Sequence, residues 1–437
     1  MDTDTGRLAI DGGTPIRTTL PPMGKGVTLL GDEEKAAVLE VLESKSLFRY
    51  YGPDLRNKVE AFEAASRDLL GAPFAVATSS GTAALRCALA ALGIGCGDEV
   101  IVPSFTFIAT VNAVVVSAAV PVFAEIDDTL GLDPADVEAK ITDRTRAIIA
   151  VHLDNGACDM HALMEVARRR GVPVIEDAAQ AMGATLAGRA LGTIGDLGCF
   201  SLQLEKNVTS GEGGLVVAND EGLWLRAARY QDQGGQFVTS TGGSRDGVPG
   251  GKERGGDTEA PFVGENLRMT EIAGAIAEVQ VRKLPGLFDA QRKNQRRVLD
   301  AVGDAEGLTW RRLPDPDGDG GSSVNFFVRD AETARRFVKA LRAERIPAGQ
   351  LYNGKPVYLT PSIVAKRTVS GKGGPWNCAE HPTDVEYGPG LCPRTEDLAG
   401  RSVIVPIGAA YSDADCDDVA AGIRKVAAAL TSPATTA

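Results

Sequence analysis

The sequence predicts an α/β protein: a large domain built on a mostly parallel seven-stranded sheet between helices, then a smaller C-terminal α/β domain. Three observations carry this. Seven short runs rich in Val, Ile and Phe alternate with helical runs between about residues 74 and 220. Those runs are continuously apolar, as in strands covered on both faces, and do not alternate in and out. After about residue 266 helical runs dominate, and a second, shorter mixture of strands and helices closes the chain.

The elements follow in order. "FAVATSS" (74–80) reads as a strand, followed by a helix from Gly81 through Leu92. "EVIVPSF" (99–105) is a strand before a helical run from about Thr106. "AVPVFAEID" (119–127) and "RAIIAVHL" (146–153) are strands, and a helix covers 159–170. "GVPVIEDAA" (171–179), "GCFSLQ" (198–203) and "GGLVVAND" (213–220) complete the seven. Each ends at a small or polar cluster, the side on which open α/β sheets take ligands. The C-terminal pattern is "SSVNFFVRD" (322–330), a helix over 331–344, "RSVIVPI" (401–407) and a helix over about 412–430. The expected division is an N-terminal arm over 1–30, a large domain over 31–285 and a small domain over 286–437. Residues 238–262 and 366–400 read as long loops, which are usually functional or disordered.

Composition narrows the function. The chain has 437 residues, 43% of them hydrophobic, and a formal net charge of −12. That balance argues against a nucleic-acid or polybasic membrane partner. The start, "MDTDTGRLAI", lacks the basic and apolar regions of a secretory signal. The most apolar stretch, 113–123, is too short to span a bilayer. Seven cysteines without CxxC spacing point to a reduced, cytoplasmic chain. Only His152, His161 and His381 could serve a His-based metal centre, and none is expected.

Three segments could carry chemistry. "SSGTAAL" (79–85) puts a helix start after a strand, where backbone N–H groups and the helix dipole favour a phosphate. Gly81 permits close approach, and Ser80 or Thr82 adds a hydroxyl. "VIEDAAQA" (174–181) puts Asp177 at the carboxyl end of a strand. "SLQLEKNVTSGEGG" (201–214) puts Lys206 between a strand and a glycine-rich turn. Each has a plainer reading alone: a routine N-cap at Ser80, another at Asp177, a solvated Lys206. Together, a phosphate cradle, a strand-end carboxylate and a lysine are the parts that pyridoxal 5'-phosphate requires.

These motifs, with "GDEVIVPSFTFIAT" (97–110), "PVFAEID" (121–127), "VHLDNGACDM" (151–160) and "GENLRM" (264–269), resemble those of the DegT/DnrJ/EryC1/StrS family of sugar aminotransferases. The likeness runs from about residue 30 to 430. It implies the fold type I architecture of pyridoxal-phosphate enzymes. It implies that Lys206 forms the Schiff base and that Asp177 pairs with the pyridinium nitrogen. Gln180 is placed near the phenolic oxygen, and Phe107 is stacked on the ring or, alternatively, packed in the core. Ser80, Gly81, Thr82 and Ser201 are phosphate contacts. Asn266 reaches the phosphate of a neighbouring subunit, which implies a homodimer with composite sites. The implied reaction moves an amino group from glutamate or glutamine to a keto-sugar or cyclitol. The alternative is another pyridoxal-phosphate outcome (lyase, decarboxylase, cyclase or oxidase) on an amino-acid-like substrate. Two features depart or stand open. Glu205 and "SLQLE" replace the more usual aromatic and His-Pro-like run beside the lysine. "LFRYYG" (47–52), with Arg49, either lines the site or forms an ordinary packed turn.

Overall fold

A computed structural model describes residues 7–235, 262–380 and 385–431. All seven expected strands form: β1 (Phe74–Thr78), β2 (Glu99–Pro103), β3 (Val120–Ala124), β4 (Thr145–Val151), β5 (Val174–Asp177), β6 (Leu197–Ser201) and β7 (Gly214–Ala218). Their order across the sheet is β1-β7-β6-β5-β4-β2-β3. Only β7 runs against the others, so the sheet is mostly parallel. The strands are buried on both faces, which is why their sequences show no alternation.

Register places the strand ends side by side. Asp177 pairs with Val151 on β4 and with Cys199 on β6. Gly214 pairs with Ser201 on one side and Thr78 on the other. The segments after β1, β5 and β6 therefore meet at one edge of the sheet.

The helices begin where the sequence offers caps. Ser80 accepts from Ala83 N at the start of helix Gly81–Ala91. Asp159 does the same for Met160–Arg170, which ends on three arginines that complement the helix dipole. Helix Lys58–Leu70 lacks a cap of its own, since Asn57 makes none. Buried Glu271 supplies it from a distance, accepting from Lys58 N at 2.6 Å and Val59 N at 3.1 Å.

Glu271 also opens the longest helix, Glu271–Val302. This helix runs unbroken through residue 285, the expected domain border, with Pro285 inside it. Its first half packs on helices Asp32–Ser44 and Lys58–Leu70, and its second half on helix Asp413–Thr431. The C-terminal unit is a three-stranded antiparallel sheet of Thr309–Trp310, Ser323–Phe327 and Ser402–Pro406. Helices Ala331–Ala343 and Asp413–Thr431 cover it around Phe326, Phe337, Leu341 and Val405. The arm joins this unit: Leu8 enters its core, and Glu344 accepts from the N–H groups of Ala9 and Ile16.

Two expectations change here. The expected loop 238–262 lies almost wholly outside the described residues, whereas the far end of 366–400 is a helix, Pro393–Arg401, started by proline at its first turn. The fully reduced chain is also corrected, because Cys96 and Cys378 form a disulfide. The two are 282 residues apart, so no spacing motif could show that the 366–380 segment folds back onto the turn at Gly97. The other five cysteines are buried and free. Denatured, unreduced protein should therefore titrate as five thiols, and as seven after reduction. A count of seven without reductant would refute the bond. Reduction should cost about 2–4 kcal/mol of stability, or about 2–4 °C in Tm for a chain this long.

Among the described residues no helix is long and apolar enough to cross a membrane.

Candidate active site

The edge where β1, β5 and β6 end opens into a cavity of about 660 Å³. Eight of the nine residues singled out in the sequence line it: Ser80, Gly81, Thr82, Phe107, Asp177, Gln180, Ser201 and Lys206. The ninth, Asn266, is not among them. It is exposed, on a segment that bridges to Asp232.

One end of the cavity is a helix start. The first N–H groups of Gly81–Ala91 have no acceptor within the helix. Gly81 lies so close to β6 that a Cβ there would sit 2.7 Å from Ser201 Cβ. Gly214 is under the same constraint, since a Cβ would strike the carbonyl of Ser80. The Gly-Glu-Gly-Gly turn thus brings β7 against the helix start while returning the chain from Lys206.

Asp177 stands at the end of the central strand, 5% exposed. Thr110 Oγ1 donates to its Oδ2 at 2.8 Å, and Ala179 N donates to Oδ1 at 3.2 Å. Burial raises its pKa above the ordinary 3.8, against these donors and the charges of Lys206 and His152. Its neighbour Glu176 points to the opposite face, as strand geometry requires. There it accepts from Gly192 N, Ile194 N and Gly195 N at 2.6–2.8 Å and contacts His152 Nε2 at 2.8 Å. Glu176 ties down a turn, and Asp177 faces the cavity.

Lys206 is partly buried across from Asp177. Burial lowers its pKa below the ordinary 10.5; Asp177 and Glu205 oppose this, and the like charge of Lys25 adds to it. Phe107 caps helix Ile108–Val116 and keeps 56% of its surface exposed, which removes the core reading. Its ring lies 6.3 Å from that of Tyr352. Gln180 uses both ends of its amide: Oε1 accepts from Asp154 N at 3.1 Å, and Nε2 donates to Tyr352 Oη at 3.0 Å.

The family model of the DegT/DnrJ/EryC1/StrS aminotransferases matches residues 29–424. The chain belongs to this family. It is a pyridoxal-phosphate-dependent aminotransferase of fold type I. It is 34% identical, over 96% of this chain and 97% of the other, to L-glutamine:2-deoxy-scyllo-inosose aminotransferase of Streptomyces fradiae. It is 40% identical, over 70% of this chain and 67% of the other, to a putative L-glutamine:3-amino-2,3-dideoxy-scyllo-inosose aminotransferase of Streptoalloteichus tenebrarius. The crystal structure of DesI with its TDP-sugar product superposes with a TM-score of 0.75 at 28% identity, covering 96% of both chains.

This DegT-family chain also shows what sequence reading missed. Thr110 lay inside a quoted motif but carried no role. Tyr352 comes from the turn Leu351–Gly354 in the C-terminal part of the chain, with a left-handed φ of +47°, and no sequence signal marked it. Lys25, Asn155 and Asn207 also line the cavity. "LFRYYG" does not. Within one chain Arg49 pairs with Glu63 at 2.9 Å and lies over the Tyr50 ring, while Leu47 and Tyr51 stay exposed. Thr110→Val keeps the shape and removes the donor to Asp177. We expect kcat/KM to fall about tenfold, as for loss of one hydrogen bond to a charged group. The acid limb of its pH profile should also move to higher pH, because the donor lowers the Asp177 pKa.

Proposed function

We propose that this aminotransferase moves an amino group from glutamine, or glutamate, to a keto-sugar or cyclitol in natural-product biosynthesis. The observation that carries the reading is the pairing of a partly buried amine, Lys206, with a buried carboxylate, Asp177, in one cavity that also holds a helix start. The glutamine-dependent cyclitol relatives support the donor and the acceptor class.

The residues fit the cofactor. Asp177 has two donors, and its charge suits a protonated ring nitrogen. The Gly81–Ser201 approach leaves backbone N–H groups open to a phosphate, as a Cβ at 81 would not. Ser80, Thr82 and Ser201 add hydroxyls, and Phe107 presents an exposed aromatic face. When bound, pyridoxal phosphate supplies an electrophilic carbon and an electron-withdrawing ring. Asp177 would keep the proton on the ring nitrogen, and Thr110 and Ala179 hold Asp177 in place. Lys206 Nζ would anchor the cofactor, then take the proton from Cα of the donor and deliver it to the cofactor's reactive carbon, and in the second half would move a proton the opposite way, onto the acceptor carbon. Burial favours the neutral amine that this work needs. Gln180, fixed at both ends of its amide, would lie beside the ring.

Two copies form the working unit in this reading. The exposed position of Asn266 outside its own cavity supports that, as do Leu39 and Leu42, exposed one turn apart on helix Asp32–Ser44.

The test is a half-reaction. Glutamine added to holoenzyme should remove the absorption of the lysine-bound cofactor and release the keto acid, and a keto-cyclitol should restore the band. An unchanged spectrum with both glutamine and glutamate would sink the reading.

A further inference from the structure

We propose that Cys96, Cys378 and Glu380 form a redox-gated metal site: once the disulfide is reduced, the two sulfurs and the carboxylate bind one divalent ion of the zinc class. The site is separate from the active-site cavity, which none of the three residues lines.

The carboxylate is the telling group. Glu380 Oε2 lies 3.2 Å from Cys96 Sγ and 2.9 Å from Cys378 Sγ. A disulfide has no S–H to donate, so in the oxidised pair this oxygen receives nothing from either sulfur. Two bare thiolates would repel it, as anions confined to one spot. A divalent cation removes both difficulties, because it takes electron pairs from all three ligands at once. Among the described residues, these three are the one group of His, Cys, Asp or Glu side chains whose ligand atoms converge, all within 4.8 Å of one another. Thiolate sulfur selects ions of the zinc class; magnesium and calcium take oxygen ligands.

The backbone fits such a site. Zinc–sulfur bonds in a tetrahedron set two sulfurs about 3.7 Å apart. Cα atoms 6.1 Å apart allow this by side-chain rotation alone. Gly97 follows Cys96 with a φ of +93°, and a Cβ there would stand 3.0 Å from Glu380 Cβ, so the glycine makes room for the carboxylate over the turn. Cys378 is buried and follows the turn Gly374–Asn377. That turn is anchored by Trp376, whose Nε1 donates to Tyr387 Oη at 3.0 Å, and Tyr387 Oη donates to the Pro121 carbonyl at 2.9 Å. Cys96 and Glu380 are exposed, so a reductant and a hydrated ion reach the pair from solvent.

The exchange balances. A dithiol supplies two electrons and two protons, closes to its own disulfide and leaves two thiols on the protein. The ion displaces both thiol protons to solvent and binds the two thiolates and Glu380, with water as the fourth ligand. A sulfur–metal–sulfur link thus replaces the sulfur–sulfur bond, and the segment stays clipped to the turn in either redox state. Gly374–Asn377 packs on helix Ile108–Val116, which carries Thr110, so the clip also braces the helix that holds Asp177.

The experiment uses holoenzyme reduced with a phosphine and then freed of it. Cobalt(II) is the spectroscopic probe, and zinc(II) is added in competition. We expect uptake of about one ion per chain with thiolate-to-cobalt charge-transfer absorption, and recovery by zinc of the Tm lost on reduction. Unreduced holoenzyme and reduced Cys96→Ser should show neither. Glu380→Gln, which keeps both sulfurs, should weaken the ion at least tenfold. Circular dichroism checks each variant. If Cys96→Ser misfolds, the unreduced enzyme and Glu380→Gln still decide the matter. Reduced enzyme that takes up no more cobalt than unreduced enzyme would overturn the proposal, as would an unchanged affinity in Glu380→Gln.

Discussion

Lys206→Ala should lose transamination by about 10⁴-fold or more, the scale on which a positioned base and a covalent anchor act together. The fold should survive, because Lys206 lies on a loop after β6 and makes no side-chain ion pair within the described residues. The phosphate end of the cavity is also untouched, so the variant should still bind pyridoxal phosphate, without the absorption of the lysine-bound form. Cofactor content and far-ultraviolet circular dichroism separate this outcome from misfolding. Turnover above about 1% of wild type would assign the proton transfer to another group. The alkaline side of the wild-type profile carries a second check. Because burial lowers the Lys206 pKa, capture of cofactor by the free enzyme should rise with pH and level off below 10.5.

Asp177→Asn should cost about 10²- to 10³-fold in kcat, or about 3–4 kcal/mol of charge stabilisation. The amide preserves shape and can still accept from Thr110, so the loss isolates the negative charge. Wild type should also lose activity at low pH as Asp177 protonates. Burial raises its pKa, so that limb lies above the position an exposed aspartate would give. In Asp177→Asn the limb should vanish along with most of the rate. A variant that keeps the wild-type acid limb would place the titrating group elsewhere. Glu176→Gln, one residue earlier, makes the contrast. Its damage should appear in Tm, because its carboxylate anchors the Gly192–Gly195 turn on the other face of the strand.

The difference between those adjacent carboxylates shows what the sequence makes legible. Seven continuous apolar runs declare strands buried on both faces, and their polar ends declare the ligand edge. Lys206, Asp177 and the Ser80–Thr82 helix start are readable because each sits at such an end. What the sequence conceals is which distant segments meet. Tyr352 reaches Gln180 across 172 positions, and Cys378 reaches Cys96 across 282. Glu205 looked anomalous beside the lysine, and its partner Lys25 lies 180 residues earlier. Arg49 was open to either reading, and within one chain it pairs with Glu63, a partner 14 residues away that no motif marked.

The helix Glu271–Val302 gives the molecule a mechanical character. Two halves joined by a slack tether could swing freely, but these share a stiff beam, and the Cys96–Cys378 disulfide and the Ser104–Thr395 hydrogen bond tie them again. Any widening of the cleft between them must flex that beam. Its natural yielding point is Pro285, where the ring removes one rung of the hydrogen-bond ladder. An opening of that cleft therefore has to bend one helix at one proline while keeping the Cys96–Cys378 tie intact.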